Sequence, residues 1–403
     1  MIALAEPLPS ECELTLDNLL STPEGKRILT CIQCGMCAGT CPYGEHMDYP
    51  PRQIINMLRS GLLEEVFVSE SLLNCVACYA CLAKCPRKIR LTEVLLPPVK
   101  EQVFEKLATV PKELQSALQY TLRYGNPMGL SPMKRAEWVR SAGRPVRILQ
   151  QDPRPVDVLW FVECYTSYHP RGQENSRAVA KLFHVLGVDF AILGNEERCA
   201  GECARLVGEA GLFDTLQERN MGVFRKYRFQ RIVTSGAHAY DAFKYLYRGL
   251  GFDYPLDHTT TFFAAHLDKL KPALTKRLYY RVTYHDSCCL GRHNGFYDEP
   301  RALLSAIPGV KVVEMAHHGI NSICCGGGGG GMWLDTYYAT KGMERLSERR
   351  VREAIATGAD VLAVSCPYEI SRFEDALKTL GYDKRMVVRD VVELLAESLG
   401  EPP

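Results

Sequence analysis

Cys31-Ile-Gln-Cys34-Gly-Met-Cys37-Ala-Gly-Thr-Cys41-Pro42 and Cys75-Val-Ala-Cys78-Tyr-Ala-Cys81-Leu-Ala-Lys-Cys85-Pro86 are two copies of one pattern, C-x2-C-x2-C-x3-C-P. A short loop with three thiolates at i, i+3 and i+6 wraps three corners of a cubane [4Fe–4S] cluster, and the fourth cysteine ligates the neighbouring one. The spacing therefore groups Cys31, Cys34, Cys37 and Cys85 around one cluster, and Cys75, Cys78, Cys81 and Cys41 around the other. Zinc is disfavoured, because zinc sites use two C-x2-C pairs with a longer insert and not a triplet ending in C-P. Ile54, Ile55, Met57, Leu58, Leu62, Leu63 and Val66 recur between the motifs at roughly helical period. The expectation is an α-helical ferredoxin-type domain over 1–92.

The rest of the chain is constrained by arithmetic. It has 403 residues, 46% of them hydrophobic, enough for two or three cores. With 48 Lys+Arg against 47 Asp+Glu it has no field to recruit nucleic acid. No apolar run reaches the length of a membrane-spanning helix, and Met1 to Ser10 does not read as a signal peptide, so a cytoplasmic protein is expected, docked at the inner membrane face at most through a partner. Seventeen cysteines fit metal ligation better than a secreted disulfide framework. Cys12 stands alone and reads as packing.

Residues 93–155 carry no cysteine and read as a helical linker: Val94 to Leu107, a restart at Pro111, and Met133 to Arg140 after Ser131-Pro132. Beyond it, short apolar runs alternate with helical stretches, which means α/β: Val158–Val162, Phe190–Leu193, Arg231–Thr234, Val282–Tyr284, Lys311–Val313 and Val361–Val364. This half repeats. The run ending at Val162 leads to Cys164 and the run ending at Tyr284 leads to His285, Asp286, Cys288 and Cys289. Cys199 follows Cys164 by thirty-five residues, and Cys324-Cys325 begins thirty-six after Cys288. Two copies of one α/β unit, 156–275 and 276–403, is the economical reading.

The copies differ chemically. The second carries Cys288, Cys324, Cys325 and Cys366, enough thiolates for a third cluster. The first has Ala200 where the second has Cys325, and Gly236 or Ala237 where the second has Cys366-Pro367. No intact cluster is expected there, and its thiols Cys164, Cys199 and Cys203 read as structural remnants. Gly326 to Gly331 lack the Lys-Ser/Thr ending of a phosphate-binding loop. Gly326, Gly327 and Gly328 are read as cofactor-binding, because glycine lets backbone N–H groups approach cluster sulfides or a substrate. No G-x-G-x-x-G follows a strand, so flavin or nicotinamide must sit on another polypeptide.

Met47-Asp48-Tyr49, Arg52 and Ser60-Gly61 through Asn74-Cys75 resemble the C subunit of heterodisulfide reductase, and the paired repeats resemble its B subunit. The fused arrangement is similar to the D-type subunit and related Fe–S oxidoreductases with cysteine-rich (CCG) domains. Asn126-Pro127, Ser131-Pro132, Trp138, Tyr284-His285-Asp286, Leu290-Gly291-Arg292 and Cys324-Cys325-Gly326 carry the likeness. The resemblance implies two cubane clusters plus a third, cubane or non-cubane, at a site that cleaves a disulfide. Cys-x-x-Cys of the family becomes Cys366-Pro-Tyr-Glu369 here, so either Glu369 ligates an iron or four cysteines suffice. Cys289 is an extra thiol that could be a ligand, a redox group or packing.

These readings give an expectation of function. Electrons enter from a flavoprotein or a membrane cytochrome b-type subunit and pass through the two clusters. They reach a site of Cys288, Cys324, Cys325 and Cys366, with His285 as proton donor, and reduce a small or protein disulfide. Asp286, Arg292, His238, His317 and His318 are weaker candidates. The alternative is a pure electron-transfer subunit between a flavin dehydrogenase, or an electron-transferring flavoprotein, and quinone.

Overall fold

The computed structural model describes residues 15–92, 96–106 and 110–400, which leaves Cys12, Val94 and Leu107 outside the described residues. Two parallel sheets dominate the second half. The first holds β1 (Arg147–Ile148), β2 (Val156–Phe161), β3 (Phe190–Ile192), β4 (Phe229–Thr234) and β5 (Leu256–His258), in the order β1-β3-β2-β4-β5. The second holds β6 (Arg281–Tyr284), β7 (Lys311–Val313), β8 (Val361–Val364) and β9 (Val387–Asp390), in the order β7-β6-β8-β9. Without the edge strand β1, the two orders are the same. Register follows suit: Leu159 lies opposite Ile232 in the first sheet, and Thr283 opposite Leu362 in the second.

Strands covered on both faces read as continuous apolar runs, and Val361–Val364 is buried at all four positions. The six strands legible in the sequence are present. Missing from that reading were β1, two residues long, and β5 and β9, whose Asp257, Arg389 and Asp390 break the apolar run. The expected helix from Met133 to Arg140 is two short 3-10 turns, Pro132–Lys134 and Glu137–Ser141. Between them the Arg135 side chain turns into the interior to pair with Glu197.

One apolar core serves both sheets. Trp138 from the linker and Trp160, Phe183, Phe190 and Phe262 from the first repeat cluster with Val282, Leu303, Leu304, Leu394 and Leu395 from the second. Trp138 and Trp160 meet edge to face at 5.5 Å, and Trp160 Nε1 donates to Ser235 Oγ at 3.0 Å. Arg171, on helix Pro170–Val185, ties the repeats by donating to Glu374 at 2.9 Å, to Glu393, and to the Val388 carbonyl at 3.2 Å. Asp390 and Glu393 form a capping box that starts helix Val391–Ser398.

The compact units do not follow the boundaries at 92, 155 and 275. One unit gathers Met1–Ser116, Gly201–Thr215 and Gly326–Leu346, and the other holds Ala117–Ala200, Leu216–Cys325 and Ser347–Pro403. Each repeat leaves its sheet at the same point, a left-handed glycine directly after the second cysteine position: Gly201 at φ 86° and Gly326 at φ 79°. In the first unit, described residues 15–92 form only helices and turns, around Ile54, Ile55, Leu58, Val66, Phe67 and Leu91. Pro51 opens helix Pro51–Arg59, where its missing N–H costs nothing. Gly208 packs on the backbone of helix Leu96–Lys106, since a Cβ there would lie 2.6 Å from the Glu101 nitrogen. Among the described residues, no helix is long and apolar enough to cross a membrane.

His258 gives the first sheet a pH dependence. Its Nδ1 accepts from the Thr260 N–H at 3.1 Å, so Nε2 carries the proton and contacts the Ser235 carbonyl at 3.0 Å. Burial pulls its pKa down to about 4. An unfolded histidine titrates near 6.5, so stability is full above that pH. It falls as pH drops toward about 4, while the unfolded chain binds a proton that the folded one refuses. Urea unfolding followed by tryptophan fluorescence is expected to show roughly 2 kcal/mol lost between pH 7 and pH 5. His258→Gln should lack that loss, and equal slopes in both proteins would contradict the assignment.

Candidate functional site

The first unit builds two thiol-lined hollows. Cys31, Cys34, Cys37 and Cys85 line one of about 330 Å³, with Ile55 and Ile89 in its wall. Cys41, Cys75, Cys78 and Cys81 line a second of about 470 Å³, with Ile54, Leu72 and Leu96 around it. Each hollow thus takes three cysteines from one motif and the last from the other. The loops share a backbone device: Gln33 and Gly35 in the first motif, and Ala77 and Tyr79 in the second, all have φ between 49° and 80°. Left-handed residues at alternate positions turn successive N–H groups into the concavity, a cradle suited to an anionic group. For Gln33, Ala77 and Tyr79, which carry a Cβ, this costs about 1 kcal/mol each.

The electrostatics call for a cationic guest. Burial pushes the Cys37 thiol up to about 11, with Cys31 and Cys85 adding repulsion. Burial pushes Cys81 to about 12, with Cys78 and Cys75 adding to it, and raises Cys41 further. Converging thiolates are untenable without positive charge between them, and iron supplies that charge. Around them, Ile89 N–H donates to Cys85 Sγ at 3.5 Å, Gln33 Nε2 to Cys31 Sγ at 3.3 Å, and Thr92 Oγ1 lies 3.4 Å from Cys81 Sγ.

Two further residues at the second hollow were not legible in the sequence. Lys100, 1% exposed, donates from Nζ to the Cys75 carbonyl at 3.1 Å. Burial lowers its pKa, and the Cys75 and Cys203 thiols push it back up. Gly329 has φ 56°, and a Cβ there would lie 2.3 Å from the Cys75 carbonyl oxygen. So within the glycine run it is Gly329 that abuts the ligand loop. Gly327 and Gly328 supply carbonyls to a turn, accepting from Met332 and Gly331, and Gly331 would meet the Gly326 oxygen if it bore a Cβ.

In the second unit the thiols of the second repeat are buried at strand ends, where the open side of a parallel sheet places ligands. Cys288, after β6, hydrogen-bonds Cys289 and Cys324 and has Cys325 nearby. Cys366, after β8, is pushed up to about 12 by burial, with Glu369 raising it and His238 opposing. Cys325 Sγ, a His285 ring nitrogen and a Glu369 oxygen lie within 4.8 Å of one another. His285 Nε2 is 3.3 Å from Glu369 Oε1, and Glu369 Oε2 has no hydrogen-bond partner among the described residues. Buried sulfurs beside an unsatisfied carboxylate oxygen are a donor set that fits iron.

The weaker candidates separate clearly. Asp286 is held by Arg301 at 2.7 and 3.0 Å and by the Gly319 N–H at 2.7 Å, so it fixes its loop. Arg292 donates to the Ser322 carbonyl at 2.5 Å. His317 pairs with Glu353, and His318 with the Met315 carbonyl at 2.9 Å. His238, from the first repeat, lies 3.6 Å from Cys289 Sγ, so the strand ends of the two sheets face each other. Cys164 and Cys199, brought together in the first repeat, have a partner that the spacing did not announce, Arg135.

Two four-cysteine hollows followed by two thiol-bearing parallel sheets define an iron–sulfur protein. Residues 27–89 match the 4Fe-4S dicluster domain, and 158–239 and 282–368 each match the cysteine-rich domain. The probable iron-sulfur-binding oxidoreductase FadF of Bacillus subtilis is 33% identical over 88% of this chain and 49% of its own length. The EtfAB:quinone oxidoreductase of Syntrophomonas wolfei is 30% identical over 92% of this chain and 58% of its own. The D-type subunit of the dihydromethanophenazine:CoB–CoM heterodisulfide reductase of Methanosarcina barkeri is 31% identical over 92% of this chain and 93% of its own. The chain spans about half the length of the first two. It belongs to the family of iron–sulfur oxidoreductases that includes the D-type heterodisulfide reductase subunits, and it carries multiple iron–sulfur clusters.

Lys100→Met is expected to lower the reduction potential of the cluster held by Cys75, because the buried cation beside its ligand loop favours the added electron. Redox titration followed by EPR reads the shift. An unchanged potential would show that Lys100 only packs.

Proposed function

We propose that this chain takes single electrons from a partner flavoprotein or membrane cytochrome b-type subunit at its dicluster module. It passes them, two in all, to a site of Cys288, Cys324, Cys325 and Cys366, where a small or protein disulfide is cleaved. The observation that carries the reading is the set of four buried thiols on three loops, with Glu369 and His285 beside Cys325. Its support among relatives is the D-type heterodisulfide reductase subunit, covered almost end to end. Bound clusters would supply one-electron steps, which a disulfide needs twice.

The chain's own residues prepare the protons. Arg350, itself buried, donates from Nε to His285 Nδ1 at 3.1 Å. A guanidinium never accepts, so Nδ1 is unprotonated and the imidazole proton sits on Nε2, the nitrogen nearest Glu369. That proton is available to a departing thiolate. Glu369 is the thirteenth candidate ligand, and Gly326 to Gly328 keep the run after Cys325 free of side chains.

A second reading is favoured by the quinone oxidoreductase relative: the same relay, ending on quinone. Both place the electron donor on another polypeptide.

Anaerobic purification with iron and sulfide analysis is expected to give roughly twelve irons per chain, four for each of three clusters. Cys366→Ala should remove about four of them and leave the dicluster EPR signals. A wild-type count near eight would abolish the third site. Adding a disulfide or a short-chain quinone to dithionite-reduced protein separates the two acceptors. Cluster reoxidation with release of two thiols supports the first reading, and reoxidation by quinone alone supports the second.

A further inference from the structure

The first repeat holds a thiol arrangement that a remnant would not need. Cys164 follows β2 and is fully buried; Cys199, on the loop after β3, is half-buried. The Cys199 thiol hydrogen-bonds the Cys164 sulfur. On its other side, Arg135 Nη2 donates to Cys164 Sγ at 3.1 Å. Arg135 is buried and held by Glu197 Oε1 at 2.5 Å. That carboxylate also accepts the Val162 N–H at 3.0 Å and the Glu163 N–H at 2.8 Å. Cys199 is anchored as well, its N–H donating to the Gly125 carbonyl and its carbonyl accepting from Asn220.

The same repeat has closed the space where a cluster ligand would sit. Gly236 stands where the second repeat has Cys366, and a Cβ on it would lie 2.1 Å from Glu163 Oε1. Glu163 holds that position with φ 87°, a strained angle for a residue with a side chain. A buried cysteine in apolar packing would be left without a cation or a second sulfur. Here a guanidinium and a second thiol converge on one sulfur.

We propose that Cys164 and Cys199 are a redox-active dithiol/disulfide couple, the first repeat's replacement for a cluster. Cys199 is the sulfur that a small-molecule disulfide RSSR can reach. Cys199 passes its proton to the Cys164 thiolate and, as a thiolate, attacks RSSR to give Cys199–S–SR and RS⁻, which takes the proton back from Cys164 and leaves as RSH. The Cys164 thiolate then attacks the Cys199 sulfur, closes the Cys164–Cys199 bond and expels RS⁻. In sum, two cysteine sulfurs lose two electrons and RSSR gains them. The Cys199 hydrogen bond, with Arg135 helping against burial, holds Cys164 down to about 7, so its thiolate is populated at neutral pH. Stabilising the thiolate stabilises the reduced form, which makes such a couple oxidising and its disulfide easy to reduce again.

The test uses the full chain with its clusters, equilibrated anaerobically in buffers of oxidised and reduced dithiothreitol, alkylated and analysed by peptide mass spectrometry. A Cys164–Cys199 cross-link is expected, its ratio to the dithiol rising in proportion to the buffer ratio, with cluster absorbance unchanged. Arg135→Lys should shift that equilibrium toward the disulfide by about tenfold, the equivalent of one pKa unit. No cross-link in any buffer, or one that joins either cysteine elsewhere, overturns the proposal. So does a loss of about four irons in Cys164→Ser, because the thiol would then be a cluster ligand. The wild-type measurement stands whether or not the variants fold.

Discussion

A thiolate cannot be buried without positive charge beside it, and that constraint sorts the cysteines of this chain. Where thiols converge, as at Cys37, Cys41 and Cys81, burial drives each toward the neutral form. Those hollows therefore suit iron. At Cys164, the Cys199 hydrogen bond and the Arg135 guanidinium together draw the thiol the other way. The second repeat lies with the first group: Cys288 and Cys366 are both raised. A guanidinium that donates directly to the sulfur thus sets Cys164 apart from the thiols that burial keeps neutral.

The dicluster module was the most legible part of the sequence, because its chemistry is local. Three cysteines fall within seven residues, and the placing of Cys85 in the first hollow and Cys41 in the second follows from the same repeat. The parallel sheets were legible where an apolar run fills the buried part of the strand, as at β2 beyond Asp157 and at β8. The edge strands β5 and β9 were not: Leu256-Asp-His258 and Val387-Val-Arg-Asp390 satisfy their neighbours through backbone hydrogen bonds and leave polar side chains for caps and ion pairs. His258 and Asp390 each cap the helix that follows, a role fixed by three-dimensional closure and not by periodicity.

Of the candidate site, the sulfurs could be named from spacing and their partners could not. Arg135 precedes Glu197 by sixty-two residues and Cys164 by twenty-nine, and nothing in its helical-looking neighbourhood marks it as interior. Lys100 reads as one charge on an amphipathic helix, yet it reaches the Cys75 carbonyl. Arg350 is the same case, a basic residue in Leu346–Ala356 whose Nε faces His285. Long cationic side chains carry much of the site's electrostatics because their stems reach across elements, and reach is what a linear pattern hides. Gly329 is different: the run of glycines was visible, but only the approach of the Cys75 carbonyl singles out one member.

The two repeats show why such divergence is cheap. In a parallel sheet the core is made by strand interiors and flanking helices, while ligands come from loops at the carboxyl ends. Strand order and shared core are therefore preserved between the repeats while their loops exchange chemistry. Replacing a cysteine at position 236 by glycine frees a volume that Glu163 fills, and the strain at Glu163 is borne by Glu197, which accepts its backbone N–H. That same Glu197 orients Arg135 toward Cys164. One carboxylate thus couples the closing of the ligand space to the charging of the remaining thiol. A change at Glu197 alone would undo both, leaving Arg135 without its carboxylate and the Glu163 turn without its acceptor.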